Sequence, residues 1–238
     1  MSPRFLVVEH EPACPIAHLG TWLVDAGAEL AVCRPWAGDE VPALAEYDGF
    51  VILGGSMGAP AADTHPWLAS VKERVREAAD EAVPTLGVCL GHQLAAVALG
   101  GSVEVNPHGQ QVGLYDVLWR PAAKDDGLVS GLAPNMRGIQ WNIDLVTELP
   151  EGAVALAATA DDELQVARFA PTVWGVQLHP EADEPVVQSW AAGDRDDHLE
   201  RGIDQAAVLA EIDAARAELD DAWRPLASGL VALAGAQR

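Results

Sequence analysis

The stretch GVCLGHQ, residues 87–93, places a cysteine between an apolar segment and the start of a helical pattern. The segment before it, residues 83–88, predicts a buried strand, and residues 90–99 predict a helix that two glycines end. Cys89 therefore lies in the turn between them. A helix N-terminus presents backbone N–H groups and a positive dipole end, which favour a thiolate and bind the oxyanion formed when it attacks a carbonyl. The turn suits a nucleophile, although a small buried packing residue is the ordinary alternative for a cysteine.

The N-terminal part of the chain alternates between apolar runs and helical patterns. The apolar runs lie near residues 5–8, 29–33, 49–53 and 83–88, and the predicted helices lie at 15–26, 65–80 and 91–99. This alternation predicts a parallel sheet whose ligands bind at the carboxyl ends of its strands. Residues 101 to about 177 predict short strands, and the residues from about 183 onward predict helices. The predicted fold class is α/β, with an open, mostly parallel mixed sheet, helices on both faces and a helical C-terminal tail.

A histidine and a carboxylate follow a second apolar segment. The sequence WGVQLHPE, residues 174–181, ends a predicted strand with His179, and Glu181 comes two residues later. Positions two apart in an extended chain point to the same side, so the carboxylate can hold the imidazole in one tautomer. A nucleophilic cysteine needs such a base and orienting acid, and the three residues need only be neighbours in space. Cys89, His179 and Glu181 are therefore the candidate catalytic residues.

A third segment, FVILGGSMG at residues 50–58, runs from a predicted strand into a glycine-rich loop. Such loops present backbone N–H groups to anions. Alone, the segment fits any strand-to-helix turn or a weak phosphate loop, and it lacks the Gly-Lys-Ser/Thr ending of a phosphate-binding loop. Beside the cysteine turn, it supplies a second donor for an oxyanion.

Together these three segments resemble the class I (triad) glutamine amidotransferases, whose pattern is a Gly-Gly strand end, a G-[IV]-C-x-G-x-Q elbow and a final [FL]-H-P-E. The resemblance extends from about residue 48 to about residue 190 and is close to stand-alone members similar to the glutaminase domain of GMP synthase. It implies the flavodoxin-like fold of that family and the triad of Cys89, His179 and Glu181. It also implies an oxyanion hole formed by the backbone N–H groups of Gly55 and Leu90. The candidate substrate-binding residues are Gly54, Gln93, Trp141 and Asp144.

Two positions depart from the pattern of that family. Many relatives carry a histidine in a segment of the type S-H-G-D or W-H-x-D, and this chain has Asn142 at the histidine position while it keeps Asp144. Relatives often have Glu-x-Gly where this chain has Gln111-Val112-Gly113. The resemblance assigns the first segment to the α-amino and α-carboxylate groups of glutamine. Both changes therefore bear on substrate preference, and neither touches the triad.

The composition describes an acidic chain with few cysteines. The 238 residues carry a formal net charge of −22, whereas phosphate backbones and anionic membranes are bound by clustered lysine and arginine. We therefore expect neither nucleic acid nor a membrane as a partner. Three cysteines favour a reducing compartment over a disulfide framework, and the apolar runs are too short for a signal-peptide core or a membrane span, so the predicted location is the cytoplasm. The histidines lack metal-ligand spacing, and we expect no metal and no cofactor.

We expect one amidotransferase domain over residues 1–190 and a helical extension over residues 191–238 that packs on the same domain. Hydrophobic residues make up 50% of the chain, which is enough for one substantial core, and no Ser/Pro-rich linker divides it. The tail mixes charged residues and alanines with apolar positions such as Ile212 and Leu219, which predicts an amphipathic helix pair. Docking to a partner or formation of a homodimer through this tail is the alternative.

The leading hypothesis for function is a glutaminase. In it, the thiolate attacks the side-chain amide of L-glutamine, a γ-glutamyl thioester forms, and water releases glutamate. The ammonia would pass to an acceptor on a separate synthetase, because this chain has no room for a second catalytic domain. A self-sufficient hydrolase of γ-glutamyl amides or peptides is the first alternative. A non-catalytic binding or regulatory module is the second, although such a module has no need of all three triad residue types.

Overall fold

The computed structural model describes residues 2–236, and within them the main sheet has eight strands. In order across the sheet these are β2 (Glu29–Cys33), β1 (Arg4–Val8), β3 (Gly49–Ile52), β4 (Thr85–Val88), β12 (Val173–Val176), β11 (Leu164–Ala170), β10 (Val154–Ala158) and β7 (Leu118–Trp119). The first five strands are parallel to one another, and the last three continue the sheet in antiparallel pairs. The predicted open, mostly parallel mixed sheet is confirmed.

Helices cover both faces of the sheet. The α-helices described in residues 2–236 are α1 (Ala17–Asp25), α2 (Trp67–Asp80), α3 (Leu90–Ala98), α4 (Glu184–Gly193), α5 (Arg195–Glu200), α6 (Gln205–Ala214) and α7 (Arg216–Ala236). Side chains of β1 alternate between the two layers, since Phe5 and Val7 pack with α1 and α7 while Leu6 and Val8 pack with α2 and α3. Strands β3 and β4 are buried along their whole length, as expected for parallel strands covered on both sides.

Two antiparallel strand pairs lie outside the main sheet in the described part of the chain. Strand β5 (Ser102–Val105) pairs with β9 (Asp144–Glu148), and β6 (Gln111–Asp116) pairs with β8 (Arg137–Asn142). These pairs account for the change from helical to short extended patterns after residue 101. Residues 141–144 span the end of β8 and the start of β9, and they include two of the candidate substrate-binding residues.

The tail is divided into more helices than the predicted pair. The chain turns at Gly202, which has a φ of +70°, and Asp204 then begins α6 by accepting a hydrogen bond from the backbone N–H of Ala207 at 3.1 Å. Helix α7 continues through Pro225, and its Trp223 is buried and donates from Nε1 to the carbonyl of Arg137 at 2.9 Å. A search of the described helices finds none that combines the length and apolar character needed to cross a membrane.

Candidate active site

The candidate nucleophile lies directly after β4, at the N-terminus of α3. Cys89 has a φ of 49° and a ψ of −105°, a conformation that residues with side chains rarely adopt. Its backbone is held on both sides, because its N–H donates to the carbonyl of Val176 at 2.8 Å and its carbonyl accepts from the N–H of Gln93 at 3.1 Å. Strand β12 and the first turn of α3 thus fix the cysteine in the turn between strand and helix.

Two glycines allow the helix to begin this close to the sheet. A Cβ atom on Gly91 would lie 2.1 Å from the carbonyl oxygen of Ile52, and one on Gly87 would lie 2.4 Å from the carbonyl oxygen of Gly91. Both neighbours are backbone atoms, which cannot rotate away as a side chain can. The glycines of GVCLGHQ therefore have a packing role beside the cysteine.

His179 and Glu181 form a buried pair immediately after β12. Nδ1 of His179 lies 2.7 Å from Oε1 of Glu181, and the two side chains are 3% and 1% exposed. The N–H of His179 donates to the carbonyl of Ile139 at 2.9 Å, and the ring of Trp190 lies 4.5 Å from the imidazole, centroid to centroid. The imidazole is therefore fixed in orientation, with the carboxylate on its Nδ1 side.

The electrostatics of the site favour a charged imidazole. Burial by itself lowers the pKa of His179, but the charge of Glu181, its hydrogen bond to the imidazole and the nearby Cys89 outweigh it, so the pKa lies well above 6.5. Nε2 of His179 is buried and has no hydrogen-bond partner within residues 2–236. The site therefore favours a protonated imidazole in the cavity that Cys89 also lines.

The glycine-rich loop after β3 passes directly beside these groups. A Cβ on Gly54 would lie 3.3 Å from Cε1 of His179 and 3.7 Å from Cβ of Cys89, and one on Gly55 would lie 3.0 Å from Cδ2 of Leu90. The absence of side chains at both positions lets the backbone of this loop pass close to Cys89, His179 and Leu90.

A carboxylate from the end of β1 tethers this loop. Oε1 of Glu11 accepts from the N–H of Ser56 at 2.8 Å, and Oε2 accepts from the hydroxyl of Ser56 at 2.7 Å. The glycine-rich loop after β3 is therefore held in place by Glu11, a residue that follows β1.

These elements open into one cavity of about 510 Å³. The predicted residues that line it are Cys89, His179, Gly55, Gln93, Trp141 and Asp144. The other three lie behind its wall: Gly54 against Cys89 and His179, Leu90 next along the chain from Cys89, and Glu181 against His179. The structure therefore brings all nine predicted residues to one place. Helices α4 and α5 and the residues that flank α5 complete the cavity with Ser189, Trp190, Gly193, Asp194, Asp197 and Arg201.

Comparison with known proteins identifies the family of this chain. The family model described as glutamine amidotransferase class-I matches residues 19–186. The chain belongs to the class-I glutamine amidotransferase family.

The relatives of this amidotransferase include proteins named as subunits of GMP synthase and proteins named as gamma-glutamyl peptidases. A glutamine-hydrolysing GMP synthase subunit of Halobacterium salinarum is 37% identical over 143 residues, which are 59% of this chain and 69% of that protein. This chain spans about half the length of several other proteins of that name. Gamma-glutamyl peptidase 5 of Arabidopsis thaliana is 30% identical over 146 residues, 60% of this chain and 57% of that protein.

A solved structure agrees with the fold. The crystal structure of a glutamine amidotransferase from Thermotoga maritima matches this amidotransferase with a TM-score of 0.86, and the match covers 97% of this chain and 99% of that one. The two sequences are 24% identical. The likeness shows the flavodoxin-like class I amidotransferase fold that the sequence predicted.

Two of the side chains predicted to bind substrate, those of Gln93 and Trp141, already have hydrogen-bond partners in this amidotransferase. The Nε2 of Gln93 donates to the backbone carbonyl of Asp144 at 3.1 Å, and Nε1 of Trp141 donates to Oδ2 of Asp194 at 2.8 Å. Burial raises the pKa of the Asp144 carboxyl. Hydrogen bonds therefore connect the start of β9 to Gln93 in α3 and the end of β8 to Asp194, the residue before α5.

The two departures from the family pattern turn out to be neighbours. Gln111 lies opposite Asn142 in the β6–β8 pair, and Nδ2 of Asn142 donates to Oε1 of Gln111 at 3.2 Å. Nε2 of Gln111 in turn donates to Glu163. The two departures therefore form a single local change, in which the side-chain amides of Asn142 and Gln111 pair with each other beside Asp144.

Several residues of the site were missed by sequence reasoning. Glu11 follows β1, so the rule that ligands bind at the carboxyl ends of parallel strands could have found it. Cys14, which no motif indicated, also lines the cavity, and burial followed by the charge of Glu11 raises the pKa of its thiol. Trp190 and Asp194 also line the cavity, but they lie after residue 183, where no sequence motif indicated a functional residue.

His92 is close to Cys89 in sequence, but it is not among the residues that line the cavity. It packs on Phe169, with ring centroids 5.0 Å apart, and against Gly175 of β12. Burial lowers the pKa of His92 to about 4, against a weaker opposing interaction with the backbone of Gly175. Among the described residues, no group of three or more histidine, cysteine, aspartate or glutamate side chains is arranged to hold a metal ion.

Proposed function

We propose that this amidotransferase hydrolyses the side-chain amide of L-glutamine to glutamate and ammonia. The observation that carries the proposal is the buried His179–Glu181 pair, 2.7 Å apart, in the same cavity as a cysteine held at the N-terminus of a helix. Cys89 is then the nucleophile, His179 the general base and acid, and Glu181 the carboxylate that orients it. A relative whose name describes it as glutamine-hydrolysing supports the same substrate here.

In the first half-reaction, the thiolate of Cys89 attacks the amide carbon, and the backbone N–H groups of Gly55 and Leu90 stabilise the oxyanion. The imidazolium of His179 gives its proton to the departing nitrogen, so the C–N bond breaks and ammonia leaves. A γ-glutamyl thioester and a neutral imidazole remain. The raised pKa of His179 supports this role, because the proton needed by the leaving group is already in place.

In the second half-reaction, neutral His179 takes a proton from a water molecule as that water attacks the thioester. The C–S bond breaks, glutamate leaves, and the thiolate is restored beside the imidazolium. Glu181 keeps Nδ1 of the imidazole occupied throughout, so that only the other ring nitrogen exchanges protons.

We assign the amino-acid end of glutamine to the wall formed by β8 and β9. The carboxylate of Asp144 suits the α-ammonium group, and Oδ1 of Asn142 is a buried acceptor with no hydrogen-bond partner among the described residues. Gln93 and Trp141, which also line the cavity, complete the contacts, and Gly54 supports the cavity wall from behind. The direct pairing of Asn142 with Gln111 supports this role, because it orients the Asn142 amide.

We further propose that the ammonia serves an acceptor site on a separate synthetase, as the name of the Halobacterium relative suggests. Residues 191–238 then act as part of the same domain as residues 1–190, since α4 and α5 both line the cavity. A cytoplasmic location suits a mechanism that needs a reduced thiol at Cys89.

The test is glutamate release from L-glutamine by the purified chain, compared with Cys89→Ala and with Cys33→Ala as a matched control. Cys33 is also a buried cysteine, and it is not among the residues that line the cavity. We expect release by the wild type and by Cys33→Ala and a loss of at least a thousandfold in Cys89→Ala, because the thioester cannot form. Release that survives in Cys89→Ala would overturn the proposal.

A second candidate, a self-sufficient hydrolase of γ-glutamyl amides or peptides, is favoured by the size of the cavity. Its volume of about 510 Å³ falls in the range of pockets that enclose ligands much larger than an amino acid, and a γ-glutamyl peptidase is among the relatives. The same chemistry would then expel an amine larger than ammonia. The two functions are separated by kcat/KM for L-glutamine against a γ-glutamyl dipeptide and a γ-glutamyl alkylamide, with Cys89→Ala as the blank in each assay.

A further inference from the structure

A buried amide contacts the sulfur of the candidate nucleophile. Gln177 directly follows β12, is fully buried, and precedes His179 by two residues. Its Nε2 lies 3.4 Å from Sγ of Cys89, within hydrogen-bond distance for sulfur. The thiol therefore has a neutral N–H donor beside it in addition to the imidazole of His179.

The direction of this hydrogen bond is fixed by a chain of contacts that begins at a backbone carbonyl. The carbonyl of Asp144 can only accept, so the group of Gln93 that lies 3.1 Å from it must be the NH₂ group. The same NH₂ group lies 3.2 Å from the amide of Gln177, which must therefore present its carbonyl oxygen. The NH₂ group of Gln177 is left to face the sulfur of Cys89.

A hydrogen-bond donor in this position stabilises the thiolate of Cys89 more than the neutral thiol. A hydrogen bond from an amide N–H is stronger to a thiolate than to a neutral thiol, and in a buried site little water is present to replace it. Each amide in the chain also polarises the next, which strengthens the last contact.

We propose that Gln177 is a positioning residue that stabilises the thiolate of Cys89 and connects it, through Gln93, to the substrate-binding wall at Asp144. The inference rests on the proposed role of Cys89 as the nucleophile. It adds a second source of thiolate stabilisation that differs in kind from the imidazolium, because Gln177 carries no charge and does not titrate.

The experiment measures the rate at which iodoacetamide alkylates Cys89 as a function of pH, with the modified peptide identified by mass spectrometry to exclude Cys14 and Cys33. In Gln177→Leu we expect the pH midpoint of alkylation to rise by about one unit, the shift for a tenfold change in the thiolate equilibrium. In Gln177→Glu, which has nearly the same shape but presents an acceptor and a negative charge, we expect a larger rise.

The matched control is Gln165→Leu, which removes another buried amide from the neighbouring strand β11. Gln165 is 1% exposed, and its side-chain amide has no hydrogen-bond partner among the described residues. The pH midpoint of Cys89 alkylation in Gln165→Leu should equal that of the wild type. An unchanged midpoint in Gln177→Leu, in a variant that melts like the wild type, would overturn the proposal, as would an equal rise in Gln165→Leu. Because alkylation needs no glutamine, this result is independent of whether the chain hydrolyses glutamine.

Discussion

Cys89 is held in a conformation that costs free energy. A non-glycine residue in a sparsely populated backbone region costs on the order of 1–3 kcal/mol, and Cys89 has a φ of 49°. Its backbone hydrogen bonds with Val176 and Gln93, each contributing about 1 kcal/mol, help to offset that cost. Strain is therefore located at the residue whose thiol we propose as the nucleophile, and it places that thiol beside both His179 and Gln177.

Glu181 sets the pH range of the reaction in this account. In Glu181→Gln the negative charge that raises the pKa of His179 is lost, so the imidazolium gives up its proton at a lower pH. We expect the basic limb of the kcat/KM profile for glutamate release to move to lower pH by about one to three units, the range for loss of an opposite charge in contact. Glu184→Gln, an exposed carboxylate three residues later, should keep the wild-type profile. A basic limb that does not move in Glu181→Gln would contradict this role.

Single residues differ in how well the sequence predicted them. That Cys89, His179 and Glu181 lie close together could be predicted, because each is a reactive residue type at or just after the end of an apolar segment. Gln177 could not, since a glutamine within an apolar segment looks the same whether its amide contacts a sulfur, as here, or has no partner, as at Gln165. The pairing of Asn142 with Gln111 depends on strand register, which no local pattern shows.

At the scale of elements, the turn from β4 to α3 depends on close packing against β3. A Cβ on Gly91 would lie 2.1 Å from the carbonyl oxygen of Ile52, so Gly91→Ala must push the helix away from the strand. We expect a loss of about 1–3 kcal/mol in the free energy of unfolding, measured by urea denaturation. Gly131→Ala is the control, because a Cβ there would meet no atom within 4 Å. Equal unfolding midpoints for the two variants would refute the packing argument.

The elements that the sequence predicted best are those with continuous apolar runs. Strand β2 matches its predicted bounds, and β1 and β3 each differ by one residue at one end. Strand β7 has only two residues and is defined by its pairing with β10, so no local pattern could reveal it. The tail helices are separated by the turn at Gly202 and the cap at Asp204, local signals that the broader amphipathic pattern obscured.

At the scale of the whole molecule, the cavity joins parts of the chain that are far apart in sequence. A hydrogen bond joins Trp141 to Asp194, which is 53 residues later in the sequence. Another runs from Nε1 of Trp190 to the carbonyl of Ala13, which is 177 residues earlier. The open sheet predicted which strand ends would form the site, because parallel strands share one edge. The outer wall could not be predicted, because it depends on how α4 and α5 fold back over that edge.

The most direct test of the central claim is intact-mass analysis of the protein after rapid mixing with L-glutamine and acid quenching. The account predicts a fraction of the wild-type protein heavier by one γ-glutamyl group, with the group on the peptide that contains Cys89, and no such species in Cys89→Ala. The same adduct on a different residue, or glutamate release that persists in Cys89→Ala with no adduct on the wild type, would contradict it.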